Sequence, residues 1–521
     1  MNFKHILLPV AMVLTLLASC VSDDSTYGTP GKTFIRLSGI AESYSIASYS
    51  SEKLVIKPQI SSSFDDNDLE YLWTYYLASK GTESTYDPNT NTTTYPKADT
   101  LSHNRDLDMP VGLPDGNYKL IYTVTSKSTG YSQHFVTALN TASALAEGFY
   151  VLKENSEGNT DLDLYNPSKK SLVSNVLQTY QGKAMPGAPR CMDVIYNMSY
   201  VDAQGNPAGA NMLCLTTEAD SMRFMSLQDG RTVVSPANAH YDPVKGEIPY
   251  RTVRGWYSIY YLTSNGVYSC YTGSTGIFAF ANGDPASVHV ASGGNASFYA
   301  ICYWSPTAHS IEALDYNGTS MPVISAVPGY EATNLQATCL DCGFCEAAGG
   351  KTYFLLQDNN DASKKLLYAI DCAMTKATIS SVRAISPDSH FAKASLRAFN
   401  SRTATIGYAV DDNKLYSYNL VQEEAEKQLS LQGIPADEKI TFVSNRYFAG
   451  SSSFDYLIIG TQKSGTYHLY FYNMVGGEPT GAPAFTISGE GKLKSLGYVN
   501  PLVKEGDDAT LLPILEEGAK K

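Results

Sequence analysis

The 521-residue sequence is short of several things, and each shortage narrows what the chain can be. No long stretch past residue 20 sustains helical periodicity, which argues against a helical domain. No Lys/Arg-rich stripe stands out, and the formal net charge is −13. Nucleic acid and anionic lipid headgroups are therefore poor partners. The motifs of common hydrolases and nucleotide-binding enzymes are absent as well: no H-E-x-x-H, no G-x-S-x-G, no complete phosphate loop. GTPGKT at Gly28 lacks the leading glycine of such a loop, Thr26 standing in its place. The eight histidines are scattered. Carboxylates are plentiful, but no glycosidase-like pair is picked out. Charged residues make up only 17% of the chain.

What the sequence has is tyrosine and glycine, 38 and 40 residues, suited to many short strands and tight turns. ATIGYAVDDNKLYSYNL, from Ala404, reads as a β-hairpin with alternating apolar and aromatic positions. The same grammar returns near Gly148, Asn211, Gly266, Phe298, Lys351 and Asp455, mostly about fifty residues apart. That is the spacing of four-stranded propeller blades. A further short strand precedes six of the hairpins: MDVIYNMSY at Met192, WYSIYYL at Trp256, SVHVAS at Ser287, TCLDCGF at Thr338, SLRAFN at Ser395 and TFVSNRYF at Thr441. The hairpin at Gly148 has none in front of it, and KLKSLGYVN from Lys492 supplies the missing partner by ring closure. Residues 147–521 are thus expected to form a seven-bladed β-propeller closed by the C-terminal strand. Six or eight blades also fit, because the hairpins flanking Ser287 begin only 32 residues apart.

Ahead of the repeat, residues 33–146 read as one all-β sandwich. Its strands are KLVIKPQI at Lys53, LEYLWTYYL at Leu69 with Trp73 in the core, GNYKLIYTVTSKSTG at Gly116 and HFVTALN at His134, with a long polar loop from Gly81 to Thr100. Residues 1–19 read as a signal peptide, whose apolar run from Ile6 to Leu17 is too short for a membrane span. Leu17-Ala18-Ser19-Cys20 resembles a bacterial lipobox, which implies a lipidated Cys20 followed by a polar tether to residue 32. A plain secretory signal with a chance cysteine is the alternative.

The Tyr-x-Trp strand, the G-x-Y-x-L-x-Y-x-V strand with its following TG, and EGFYVLKENSEGNTDLDLY resemble the PKD-like family of Bacteroidetes lipoproteins, over roughly residues 33 to 170. Ser22, Asp23 and Asp24 resemble the surface-export signal of such lipoproteins. Asp99-Thr100-Leu101 resembles their O-glycosylation site, with Thr100 the candidate. The resemblance implies an outer-membrane, lipid-anchored protein facing the cell exterior. It would be a non-catalytic accessory subunit for binding or assembly beside a SusC/SusD-type importer of glycans or oligopeptides. A propeller glycoside hydrolase or lyase, and a structural spacer, are the rival readings. No cofactor is expected. Ligand contacts are expected from aromatics and arginines on channel-side strands: Trp256, Tyr257, Tyr260, Tyr261, Arg397, Arg402, Arg446 and Tyr447. Cys339-x2-Cys342-x2-Cys345, with Cys372 beyond, leaves metal ligation, a disulfide or free thiols open, though residues three apart in a strand face opposite ways. The acidic turns Asp65–Asp68 and Asp358–Asp361 lack the glycine and final glutamate of a calcium loop and read as solvated.

Overall fold

The computed structural model describes residues 33–499, apart from 49–52, 79–84, 88–91, 95–97, 115, 203, 256–257, 272–273, 294–299, 374 and 449–453. Cys20, Ser22, Asp23, Asp24, Trp256 and Tyr257 lie outside the described residues. The chain divides into two compact units between Ala142 and Ser143. This is a few residues earlier than residue 146, because Leu145 already packs with Tyr150, Leu152 and Leu162 in the core of the second unit.

The first unit is a sandwich. One sheet runs Ser43–Ala47, Ser132–Ala142, Gly116–Ser126, Leu69–Leu77, Asp99–Ser102 in spatial order. Two shorter ladders pair Ile35–Ser38 with Gln59–Ser62 and Lys53–Ile56 with Leu107–Pro110. Alternation decides which face is inside: Tyr118, Leu120, Tyr122 and Val124 are buried, two residues apart each time. They meet Ile35, Leu54, Ile56 and Leu107 from the ladders. Trp73 is in this core, stacked on Tyr122 at 4.3 Å between ring centroids, its indole N–H donating to Asn104 O. The polar stretch from Gly81 is not loop throughout. It carries a short hairpin, Thr85–Asp87 with Thr92–Thr94, and Asp99–Ser102 adds itself to the edge of the large sheet. Thr100 is therefore an exposed residue of an edge strand, not of a loop.

Among the described residues, the second unit holds seven four- or five-stranded sheets, antiparallel apart from one short parallel pairing of Val323–Ile324. Their innermost strands are β1 (Pro189–Val201), β2 (Pro249–Arg254), β3 (Val290–Gly293), β4 (Ala337–Cys345), β5 (Leu396–Phe399), β6 (Lys439–Phe448) and β7 (Lys492–Val499). Each neighbours the next, and β6 neighbours β7, which neighbours β1. The inner strands form a closed ring, and the unit is a β-propeller. The second strand of a blade is sandwiched between neighbouring blades, so Ser258–Thr263 and Ala300–Ser305 are buried at every position. An innermost strand has one hydrogen-bonding edge paired and the other turned to the central channel.

β7 pairs antiparallel with Gly148–Glu154, joining the two ends of the propeller in one blade. Aromatics pack the seam with the last blade: Phe149 lies 4.7 Å from Tyr498 and 4.9 Å from Phe471. A buried polar latch crosses it. Lys153 Nζ is 2.7 Å from Asp163 Oδ1, and Tyr467 of the last blade donates its hydroxyl to Asp163 Oδ2 at 2.6 Å. The founding hairpin is Ile406–Asp411 with Lys414–Asn419. Its turn is Asp412-Asn413, both at positive φ, the two-residue turn whose twist suits a hairpin.

One blade departs from expectation. WYSIYYL was expected to be an inner strand, but Ser258–Thr263 is a second strand, paired with Gly266–Tyr271. The inner strand is the preceding PYRTVR of β2. Apolar aromatic content marks the strand buried on both faces, while the strand facing the channel is the more polar one.

Candidate functional site

Inner strands converge on a central cavity of about 380 Å³, with residues from β1 to β6 in its wall. Most strand positions in the blades are apolar or aromatic, so a charge in the middle of a strand must find water or a partner. Asp193 on β1, Arg251 and Arg254 on β2, Asp341 on β4 and Arg397 on β5 do so here, all lining this cavity.

Arg251 Nη2 donates to Asp193 Oδ1 at 2.6 Å, and the other Asp193 oxygen accepts the Thr252 backbone N–H at 3.0 Å. The Asp–Arg pair thus ties β1 to β2. Asp341 Oδ1 accepts the N–H of Cys342 at 2.9 Å. Burial raises the Asp341 pKa to about 6, against the pull of the Arg397 charge and the Cys342 N–H. Arg397 donates from Nε to Phe391 O and from Nη2 to the carbonyls of Ala392 and Ala394, which fixes its guanidinium at the wall. His289, beside Arg251, has its pKa lowered to about 4 by burial and by that charge, so it is neutral at pH 7. The aromatics in the wall are Phe344 and Phe399; no described tyrosine or tryptophan lines it.

Of the expected ligand contacts, Arg397 alone among the described ones reaches this cavity. Tyr260 and Tyr261 are buried between blades. Tyr260 donates to Asp315 O at 2.5 Å, and Tyr261 hydrogen-bonds Glu247. They are core residues, because their strand is second in its blade. Arg402 pairs with Glu346 at 3.3 Å and lies over the Tyr447 ring, a cluster apart from the cavity. Arg446 follows the lining residues Val443–Asn445 on β6 but does not line the cavity, and its Nε is buried. Asp193, Arg251, Arg254 and Asp341 were missed. The signal was present: each is a charge inside a strand otherwise made to pack.

The eight described cysteines are free thiols. Cys339 and Cys345 enter two different cores, while Cys342 lines the cavity with its thiol pKa pushed up by burial. Between the second and third blades, a smaller cavity of about 230 Å³ is lined in part by His240, Glu247 and Tyr261. There His240 Nε2 is 3.2 Å from Glu247 Oε1, and Nδ1 is 3.0 Å from Phe278 O.

Residues 20–189 match the model of the PKD-like family. The match covers the sandwich and runs on through the first propeller hairpin to the start of β1. No curated protein sequence matches the chain. Solved structures align at low identity. A quinonprotein alcohol dehydrogenase-like protein from Bacteroides thetaiotaomicron is 12% identical, with a TM-score of 0.42, over 88% of this chain and 97% of that one. BamB from Moraxella catarrhalis is 12% identical, with a TM-score of 0.29, over 66% and 88%. The Dos1 propeller is 9% identical, with a TM-score of 0.35, over 78% and 96%.

Proposed function

We propose that the protein is an outer-membrane lipoprotein, anchored through Cys20 and facing the cell exterior, that holds a ligand in the propeller's central cavity. It serves, without catalysis, as an accessory subunit of a SusC/SusD-type importer of glycans or oligopeptides. The lipobox at Leu17–Cys20 and the family match beginning at residue 20 support the anchoring and context. The observation that carries the binding role is the state of the cavity carboxylate Asp193: it is already held by Arg251 and a backbone N–H. Such a group positions a wall and is poorly placed to take a proton from water. A tagged copy pulled down from detergent-solubilised outer membranes should bring an importer barrel and its partner lipoprotein with it. Recovery of the tagged protein alone would defeat the accessory role.

A second reading has one specific observation behind it. Asp341, whose pKa burial raises to about 6, would serve as the proton donor of a glycoside hydrolase, with Asp193 the second carboxyl in the wall. That reading requires glycan cleavage by the native protein and its loss in Asp341→Asn. Absence of any cleavage across a panel of surface glycans would leave the binding role.

A further inference from the structure

The cavity is more cationic than the molecule around it. The chain carries −13 overall, yet three arginines face two aspartates in the cavity wall. Asp193 is engaged with Arg251, so the surplus falls to the remaining groups. Arg251 spends Nη2 on Asp193, yet its side chain stays 30% exposed where it lines the cavity. A guanidinium carries five donors in a fixed fork matched to a carboxylate. Arg397 is pinned by three carbonyls on the β5 side, a fixed positive charge away from Arg251 and Arg254 on β2.

We propose that this cavity is a carboxylate site: Arg251 grips a carboxylate borne by the ligand, while the buried Arg254 beside it and Arg397 on the opposite wall keep the cavity positive. The inference rests on the cavity being the ligand site, and not on the importer partnership. It replaces the expectation of aromatic stacking, since no described tyrosine or tryptophan lines the wall. A volume of about 380 Å³ admits a small ligand or the end of a chain, not a folded partner. The carboxylate belongs to a sugar acid or to a peptide, and these separate by experiment.

Calorimetry on the full mature protein would use two matched pairs: a glucuronic-acid-terminated disaccharide with its glucose-terminated counterpart, and glycyl-glutamate with glycyl-glutamine amide. The acidic member of one pair should bind at least roughly tenfold more tightly than its neutral twin, and the advantage should shrink as salt is raised. The pair that shows it names the source. Arg251→Lys keeps a cation beside Asp193 but loses the fork, and should remove most of that advantage while the melting temperature holds. If Arg251→Lys does not fold, Arg251→Gln, whose amide can still donate to Asp193, makes the same test. Equal binding of acid and neutral twins overturns the carboxylate site, as does failure of both acids to bind at millimolar concentration. Importer capture without acid preference defeats this inference alone. Acid preference without capture defeats only the partnership.

Discussion

His240 and Glu247 show how two side chains can make stability depend on pH. Burial works against the charge on each, lowering the His240 pKa and raising that of Glu247. The hydrogen bond between them outweighs it, helped by Phe278 O at His240 and by the Tyr268 and Tyr261 hydroxyls at Glu247. The net result is a raised His240 and a lowered Glu247. The His240 contribution is therefore complete below its unfolded pKa of about 6.5 and fades as pH rises through the higher folded value. The Glu247 contribution is present above about 4.3 and is lost as pH falls through the lower folded value. Stabilisation peaks between the two. Urea midpoints of the parent and of His240→Gln should differ most near about pH 5.5 and converge by about pH 8.5; a constant difference would show that His240 acts by packing alone. Asp163 makes a sharper case. Removing it leaves Lys153, almost wholly buried, without its counter-ion, so Asp163→Ala should cost about 3–5 kcal/mol. Denaturant unfolding measures that directly, and a loss below about 1 kcal/mol would mean water reaches the pair.

At the scale of elements, what could be read was what repeats. Hairpins at Gly148, Asn211, Phe298, Lys351, Ala404 and Asp455 stand where the alternation places them, because two strands and a tight turn are a local signal. The third blade is offset by one strand: Gly266–Tyr271 is expected to open a hairpin but closes one with the apolar-rich Ser258–Thr263, which is therefore second and not innermost. Richness reports how many faces are covered, and the second strand is covered on both. The same offset hid the site: Arg251 and Arg254 sit in PYRTVR, one strand ahead of the one expected to be innermost, while the aromatic Tyr260 and Tyr261 are in the core. The pairing of β7 with Gly148–Glu154 was legible by elimination, one hairpin lacking a partner and one strand lacking a hairpin. Its loss has a defined consequence. A chain ended at Gly491 lacks the inner strand of that blade and exposes Phe149 and Val151. It should lose most of a stability of about 5–15 kcal/mol in a single cooperative step. A melting temperature equal to the parent's would mean that the ring does not depend on its closing strand.

For the molecule as a whole, the sequence set out two units and an address, and these are separable claims. The sandwich and the propeller each enclose their own cores, Trp73 and Tyr122 in one, the inter-blade clusters in the other. The proposed address lies in residues 1–24. Among the described residues no helix is long and apolar enough to cross a membrane; in the proposed reading a lipid on Cys20 supplies the attachment. Cys20→Ala alone is an ambiguous test, because an unprocessed leader keeps the apolar run Ile6–Leu17. The cleaner comparison exchanges residues 1–20 for a plain secretory leader and follows both proteins in a native-type host. The parent should sediment with membranes and carry the mass of two or three acyl chains on its N-terminal peptide. The exchanged protein should appear in the soluble secreted or periplasmic fraction with an unmodified N-terminus, its propeller folded, as judged by an unchanged melting temperature. If the exchanged protein still sediments with membranes, attachment comes from a bound partner and the lipid is dispensable. If the parent's N-terminal peptide carries no acyl mass, the lipobox reading fails at its first step.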